Sequence, residues 1–410
     1  MVSRIPGALA LVLSGGGARG AYELGVLKHV LGVLVPQLGP EAIPRVLAGT
    51  SVGAIYACCL GALAAAPGMG VEQICARWQE LRLSDVFRLG WGDLAGIARW
   101  LLGRGSTQGP QALLDATPLA DLVRTLVPWR ALHQNVQSGL LHAVTVSATD
   151  VASGHTVVFV ESRKGLPRQT DPVMEWQHAR LTVRHALASA AIPIVFPTVP
   201  VAGRVFSDGS LRQNTPLAPA LRMGADRVLV ISLRAAPAPL DVHRQEAGEQ
   251  AELSRPLFLF GKLLNGLLLD RVESDLLSLR RVNQALARLA LSGDGHAVLG
   301  DQHVASALQA AGGGLRPVSD LLLRPSVDLG KLAAEVLVRP VVRARFSGPA
   351  GFFLRHIGES AAEKDEPSDV LSYLCFDGEY ARELIELGER DAKAQEEKIA
   401  RFMGSRPAGA

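Results

Sequence analysis

The chain has 410 residues, of which 48% are hydrophobic and 20% are charged, and its formal net charge is +3. This composition is ordinary for a globular enzyme with a large core. The small charge, without a dense block of lysine and arginine, argues against a dedicated nucleic-acid-binding protein. The four cysteines show neither metal-ligand spacing nor a disulfide framework. No uncharged apolar run reaches the ~18 residues that a transmembrane helix needs.

The first predicted element is a strand at residues 8–13, an apolar run followed by Ser14-Gly15-Gly16-Gly17-Ala18-Arg19-Gly20. A helical pattern over residues 21–35 comes next, so the order is strand, glycine loop and helix. Successive glycines let backbone N–H groups converge on one anion, which makes the loop a candidate oxyanion hole. Arg19 would add positive charge or brace the loop. Cleavage of the run as a signal peptide would remove this strand, so we interpret it as part of the core.

The same loop allows a second interpretation. Gly15, Gly17 and Gly20 fit the G-x-G-x-x-G pattern of dinucleotide-binding proteins. That pattern requires an acidic residue at the end of the next strand, about 20 residues further on. Glu41 is near that distance, but it lies in a Gly-Pro-Glu-Ala loop. A nucleotide-binding α/β protein therefore remains an alternative.

The second motif lies between a predicted strand at residues 43–47 and a predicted helix at residues 54–66. It is Gly49-Thr50-Ser51-Val52-Gly53, a G-x-S-x-G sequence at a strand-to-helix turn. A sharp turn forces the serine into a strained backbone, and the two glycines make room for it. Ser51 Oγ would stand at a helix N-terminus, where free N–H groups favour negative charge. Ser51 is therefore a candidate nucleophile, and the alternative is a flexible turn.

A candidate base follows much later in the chain. The segment Arg204-Val205-Phe206-Ser207-Asp208-Gly209-Ser210 is a short apolar run that ends in an aspartate at a turn. An Asp-Gly pair is usually only a turn, but beside a serine nucleophile Asp208 becomes a candidate base. A Ser-acid-His triad is the alternative, because four histidines follow Asp208: His243, His296, His303 and His356.

The remaining elements are predicted as helices at 71–82, 118–127 and 178–190, a hairpin of strands 140–150 and 155–160, and strands at 227–233 and 321–327. Two apolar regions allow two interpretations each. Residues 87–102 either cover the core or form an acyl-chain pocket or lid. Residues 256–291 form amphipathic helix that either packs on the catalytic domain or rests on lipid.

Five ordered blocks within residues 8–233 together resemble the patatin-like phospholipase family, of the bacterial type. The blocks are residues 15–20, 49–53, 188–197, 208–209 and 214–217. The resemblance implies an α/β fold, a three-layer sandwich with a mostly parallel central sheet and a largely helical C-terminal region. It also implies that Ser51 is the nucleophile and Asp208 the base of a Ser–Asp dyad without histidine. The family commonly has glycine or alanine where this chain has Ser210.

By the same resemblance, the site contains two further groups of residues. Gly49 and Gly53 shape the turn at the nucleophile. The oxyanion hole is assigned to Gly15, Gly16, Gly17, Arg19, Gly20 and Val52. No metal-ligand cluster is visible, so neither a metal nor a cofactor is predicted.

The composition changes after Leu233, and we predict a catalytic domain at residues 1–235 and a mostly helical extension at 236–410 that packs on it.

The function that the resemblance implies is lipid acyl hydrolysis of the phospholipase A or lysophospholipase type, through an acyl-serine intermediate. The expected partner is a lipid substrate at a membrane surface, with no nucleic acid, and nothing in the sequence identifies a protein partner. The absence of a signal peptide and of a transmembrane helix leads us to expect a cytoplasmic protein, either free or peripheral on a membrane. A non-enzymatic lipid-binding or scaffold protein is the alternative from another class.

Overall fold

The computed structural model describes residues 8–88, 114–167, 172–193, 195–236, 272–292, 316–346 and 369–404, with the isolated positions 348, 351 and 355. The strands are β1 Leu9–Leu13, β2 Val46–Thr50, β3 Ala143–Asp150, β4 Thr156–Ser162, β5 Met174–His178, β6 Val199–Val201, β7 Arg204–Asp208, β8 Arg227–Ile231 and β9 Ser319–Leu323.

The helices of the N-terminal half are α1 Ala21–His29, α2 Val35–Leu38, α3 Val52–Ala62, α4 Pro67–Gln79, α5 Thr117–Leu126, α6 Trp129–Ser138, α7 Val183–Ser189 and α8 Leu217–Arg222. Those that follow are α9 Val272–Ser292, α10 Leu329–Leu337, α11 Pro340–Arg345, α12 Asp369–Leu374, α13 Gly378–Ala394 and α14 Glu396–Gly404. A π-helical turn at Val30–Leu34 joins α1 to α2. Short 3₁₀ turns lie at Gly17–Gly20, Pro40–Ala42, Leu83–Asp85 and Gly209–Leu211.

The strands described here form one sheet in the order β5-β4-β3-β2-β1-β8-β9. The pairs from β3 through β2, β1 and β8 to β9 are all parallel. β4 is antiparallel to β3, which confirms the predicted hairpin, and β7 also pairs antiparallel with the end of β3. The sheet is therefore mostly parallel, as expected.

Alternating side chains of each central strand enter two separate cores, because successive residues of a strand point to opposite faces. In β1, Leu9, Leu11 and Leu13 pack in the larger core with α1, α3, α4 and α13. Ala10 and Val12 pack in the smaller core with α8 and the start of α9. Helices thus cover both faces of the sheet, and the predicted α/β three-layer architecture is confirmed.

The carboxyl ends of the parallel strands lie at one edge of the sheet. In open α/β sheets, ligands bind at this edge. The glycine loop follows β1 and Ser51 follows β2 at this edge. β7 reaches the same edge because Asp208 pairs with Ala148 near the end of β3. The predicted site residues of three different strands are therefore neighbours.

The predicted helix over residues 178–190 begins later than expected. Residues Met174–His178 form strand β5, which pairs with β4, and helix α7 starts at Val183. Thr182 lies at its N-cap in a capping box with His185. The Thr182 cap therefore places the helix start at Val183 rather than at residue 178, and strand β5 before it was not predicted from the sequence.

The part of the chain after residue 235 contributes to both layers and to the sheet itself. β9 pairs with β8, and α9 buries Val272 and Leu276 in the smaller core. Of the amphipathic region at 256–291, residues 272–291 are described, and the start of this helix packs in the smaller core; residues 256–271 lie outside the described part, and the choice between packing and lipid contact for the region stays a prediction. The boundary at residue 235 stays a prediction. None of the described helices is both long and apolar enough to cross a bilayer.

Helix α13 crosses α1 at a distance that two glycines make possible. A Cβ on Gly25 would collide with the carbonyl oxygen of Ile385, and one on Gly388 would collide with the carbonyl oxygen of Tyr22. The two helix backbones therefore touch, and the C-terminal region lies directly against the helix that follows the glycine loop. Tyr22 adds a hydrogen bond of 3.1 Å from its hydroxyl to Asp391 Oδ2.

Candidate active site

Ser51 occupies the turn between β2 and α3 in a backbone conformation that side chains rarely adopt, with φ 55° and ψ −126°. A non-glycine residue at positive φ is strained and has to be held by its surroundings. The hydroxyl of Ser189 accepts a hydrogen bond of 2.9 Å from Ser51 N and donates one of 2.6 Å to the carbonyl of Ser147. Helix α7 therefore ties the turn to strand β3.

Neither glycine of the G-x-S-x-G motif has space for a side chain. A Cβ on Gly49 would collide with the carbonyl oxygen of Gly53. A Cβ on Gly53 would lie 2.5 Å from the carbonyl oxygen of Leu13. The backbone of the turn thus packs directly against the backbone of β1. Only glycine permits this close approach.

Ser51 Oγ donates a hydrogen bond of 2.8 Å to Asp208 Oδ2. The other carboxylate oxygen, Oδ1, accepts a hydrogen bond of 2.7 Å from the backbone N–H of Ser210. Asp208 is completely buried. Burial raises the pKa of this carboxyl to about 6, although the N–H of Ser210 and the hydroxyls of Ser51 and Ser210 lower it by hydrogen bonding.

The backbone around Asp208 is held on both sides. Asp208 N donates to the carbonyl of Ala191 at 2.8 Å, and the hydroxyl of Thr149 donates to the carbonyl of Asp208 at 2.9 Å. The next residue, Gly209, leaves no space for a side chain because its Cβ would collide with the carbonyl oxygen of Ser147. Asp208 therefore has a fixed position relative to β3 and, through it, to Ser51.

The glycine loop borders Ser51, and its backbone N–H groups differ in whether they have a hydrogen-bond acceptor. Gly15 N donates to the carbonyl of Asn214 at 3.1 Å, so this N–H is engaged. The N–H groups of Gly16 and Gly17 donate to no other group in the described part of the chain. Gly17 has φ 55° and lines the same cavity as Ser51 and Val52. The assignment of the oxyanion hole to the glycine loop and Val52 stays a prediction.

Gly15 and Gly20 lie where the loop packs closely against neighbouring side chains. A Cβ on Gly15 would collide with Ser210 Oγ and Asn214 Oδ1, and one on Gly20 would lie 2.8 Å from Val52 Cγ1. Both residues therefore allow the loop to lie close to the Ser51 turn and to Asp208.

Arg19 points away from Ser51 and braces the loop, which is one of the two roles considered from the sequence. Its Nε donates to Ser372 Oγ at 2.8 Å, and its guanidinium carbon lies 4.2 Å from the centre of the Tyr373 ring. The side chain is buried. The guanidinium group thus contacts the C-terminal region.

A largely apolar cavity of about 40 Å³ lies beside Ser51. Its lining is Gly17, Ser51, Val52, Ile55, Trp78, Leu81, Val86, Leu119, Leu122, Val123, Leu126, Ala190, Ile192, Phe196 and Phe376. One side of α5 contributes four of these residues. An apolar space next to a reactive hydroxyl can accept the hydrocarbon part of a substrate.

The dinucleotide alternative lacks its acidic residue in the described part of the chain, and the triad alternative stays untested. β2 ends at Thr50, and Glu41 precedes that strand in a 3₁₀ turn, so no acidic residue follows the strand where a dinucleotide site needs it. The hydrogen bonds of Ser51 and Asp208 involve no described histidine. The four histidines considered for a triad lie outside the described residues, as do residues 89–102 of the proposed lid. The described residues contain no group of three metal-binding side chains.

Several contributing residues had no sequence signal strong enough to single them out. Ser189, which accepts the N–H of Ser51, lay inside a recognised block without a role. Tyr373 and Phe376 lie more than 300 residues after Ser51, and no motif surrounds them. A search for serines adjoining the other blocks could have found Ser189, whereas only the packing of α12 and α13 reveals the two aromatic residues.

The family model for patatin-like phospholipases matches residues 11–221, about half of the chain. The sequence matches no curated protein. Among solved structures, the crystal structure of VipD from Legionella pneumophila is similar over 93% of this chain and 92% of that chain, with 12% identity and a TM-score of 0.27. A TM-score this low carries no argument about fold or function. On the family match, the chain belongs to the patatin-like phospholipase family, whose members are lipid hydrolases.

Proposed function

We propose that the protein hydrolyses the acyl ester bonds of lipids with Ser51 as nucleophile and Asp208 as base. The observation that carries this proposal is the 2.8 Å hydrogen bond from Ser51 Oγ to Asp208 Oδ2. A base has to be within about 2.6–3.2 Å of the proton it takes, and this pair satisfies that requirement without a histidine.

The reaction then has two halves. In the first, Ser51 Oγ forms a bond to the acyl carbon while Asp208 takes the hydroxyl proton. The same carboxyl returns that proton to the departing alcohol, which leaves an acyl-serine. In the second half, Asp208 takes a proton from water as the water oxygen attacks the acyl carbon. Ser51 recovers its proton, and the carboxylic acid departs.

The negative oxygen of each tetrahedral intermediate would be held by N–H groups beside Ser51. We assign this role to Gly16, Gly17 and Val52. The first two have no other described acceptor, and Val52 opens helix α3, where the helix dipole favours negative charge. Each such donor is worth ~100 to 1000-fold in rate.

The apolar cavity supports a hydrocarbon acyl group as the substrate part next to Ser51. Together with the family, this favours phospholipase A or lysophospholipase activity on a lipid substrate. Such substrates are presented at a membrane surface, so we propose peripheral contact with a membrane rather than insertion.

The experiment compares wild type, Ser51→Ala, Asp208→Asn and the control Ser162→Ala, without added metal. Ser162 is also buried, but it lies at the other end of the sheet, opposite Ala143. We expect a fluorophosphonate probe to label wild type and Ser162→Ala and to leave Ser51→Ala unlabelled. Hydrolysis of p-nitrophenyl butyrate should follow the same pattern, with Asp208→Asn inactive. Hydrolysis that persists in folded Ser51→Ala would contradict the proposal, and binding of lipid vesicles without any turnover would favour the non-enzymatic alternative.

A further inference from the structure

A short segment of the C-terminal region, residues 372–376, forms part of the active site. Ser372 and Tyr373 bind Arg19 of the glycine loop. The carbonyl of Tyr373 packs against Gly17, where any Cβ would collide with it. Three residues after Tyr373, Phe376 lines the cavity beside Ser51.

Phe376 belongs to a continuous row of buried aromatic rings. Trp78 lies between Tyr56, 5.6 Å away in an edge contact, and Phe376, 6.0 Å away. Phe87 then contacts Phe376 at 6.4 Å and Phe196 at 6.1 Å. Trp78, Phe196 and Phe376 line the cavity, whereas Phe87 supports them without lining it. The rings that line the cavity therefore pack against one another and against Phe87.

The backbone that carries Phe376 is firmly held. Its N–H donates to the carbonyl of Leu374 at 2.8 Å, and the neighbouring N–H of Asp377 donates to the carbonyl of Cys375 at 3.0 Å. Asp377 caps helix α13 by accepting from the N–H of Glu379 at 2.9 Å. Phe376 can rotate about its own side-chain bonds, but the main chain resists displacement of the ring by a substrate.

We propose that Phe376, supported by Trp78, determines the acyl-chain length and that the preferred substrates are esters of short acyl chains. This inference rests on the proposed function of Ser51 and Asp208. The cavity of about 40 Å³ is far below the roughly 150 Å³ that holds benzene. A butyryl group places few carbons in it, whereas a lauroyl chain has to displace the ring of Phe376 or of Trp78.

The experiment measures kcat/KM for p-nitrophenyl acetate, butyrate, octanoate and laurate, each below the concentration at which it aggregates. The variants are Phe376→Leu, which enlarges the cavity, and Phe376→Trp, which fills it while keeping an aromatic ring. Phe346→Leu is the matched control, because Phe346 is a buried phenylalanine that neither lines the cavity nor belongs to the aromatic row. Fluorophosphonate labelling of each variant verifies that the nucleophile is intact.

We expect wild type to prefer butyrate to laurate by about tenfold or more, since each methylene that fits or fails to fit a hydrophobic pocket is worth at least that factor. Phe376→Leu should move the preference toward octanoate, Phe376→Trp toward acetate, and Phe346→Leu should leave it unchanged. A wild type that hydrolyses laurate as well as butyrate would overturn the inference, as would equal chain-length profiles of wild type and both Phe376 variants. If wild type is neither labelled nor active on any ester, the proposed function itself fails, and this inference fails with it.

Discussion

The two oxygens of the Asp208 carboxylate have different partners: Oδ2 accepts the hydroxyl of Ser51 and Oδ1 accepts the backbone N–H of Ser210. The second contact orients the carboxylate, and Oδ2 is the oxygen left to receive a proton. A buried carboxylate with a raised pKa is also a stronger base than an exposed one, which suits proton transfer from a serine hydroxyl.

The raised pKa of Asp208 predicts the pH dependence of activity. Because the base has to be ionised, kcat/KM should fall tenfold per pH unit as the pH drops below about 6. A pH profile with p-nitrophenyl butyrate measures this limb. An activity that stays constant down to pH 4 would show that Asp208 is not the titrating base.

The same shift predicts that Asp208 destabilises the fold when it is ionised. The pKa of this carboxyl is about 4 in an unfolded chain and about 6 in the folded protein. The folded state therefore holds the proton more tightly, and the free energy of unfolding should decrease as the pH rises through this window. Asp208→Asn should be more stable than wild type at pH 8 by on the order of 2 kcal/mol, although inactive. Urea unfolding at pH 4 and at pH 8 measures the difference.

Gly17→Ala should damage the loop in two ways. Gly17 has a positive φ, which costs a residue with a side chain ~1–2 kcal/mol, and its Cβ would collide with the carbonyl of Tyr373. We expect kcat/KM to fall ~100-fold or more, since the neighbouring N–H groups would move away from the oxyanion. Gly39→Ala is the matched control, because Gly39 also has a positive φ but has no atom within 4 Å of its Cβ position. It should lose stability and keep full activity.

Arg19 should act through its contacts with Ser372 and Tyr373 and not through its charge alone. Arg19→Lys keeps the charge but loses the planar group that binds the hydroxyl and stacks on the ring. Both Arg19→Lys and Arg19→Met should lower the free energy of unfolding by ~2 kcal/mol and kcat/KM by on the order of tenfold or more. Urea unfolding and steady-state kinetics measure the two effects. Full activity of Arg19→Lys would instead favour a direct electrostatic role.

Glu23 is a buried carboxyl group that supports the start of the glycine loop. It is fully buried, Oε1 accepts the N–H of Ser14 at 2.7 Å, and burial raises the pKa of the carboxyl well above its usual value. Glu23→Gln retains an acceptor and should be close to wild type, whereas Glu23→Leu leaves the N–H unpaired and should cost ~1–3 kcal/mol. Since the folded state holds the proton more tightly, wild-type stability should decrease as the pH rises above about 4, and Glu23→Gln should lack this contribution. Guanidinium unfolding across this pH range measures both effects.

The local parts of the site could be predicted from the sequence. The turn at Ser51, the glycine loop after β1 and the hairpin of β3 and β4 depend on residues adjacent in the chain, where sterics and side-chain alternation decide the conformation. The same local rules placed the start of helix α7 too early and did not predict strand β5, which depends on pairing with the distant residues of β4. The identity of Asp208 as a neighbour of Ser51 came from the resemblance, since an Asp-Gly pair alone indicates only a turn.

The amino-acid sequence alone establishes which reactive groups the chain carries. They are a serine at a strained turn, a loop rich in N–H groups and an aspartate at a strand end. The tertiary structure decided which of these meet. Ser51 and Asp208 are 157 residues apart and touch because β7 pairs with the end of β3. Arg19 contacts Tyr373, and Phe376 lines the cavity, because the C-terminal region packs on α1 through Gly25 and Gly388. Contacts of this kind depend on how whole faces of helices and sheet bury their apolar surface, and no local pattern encodes them.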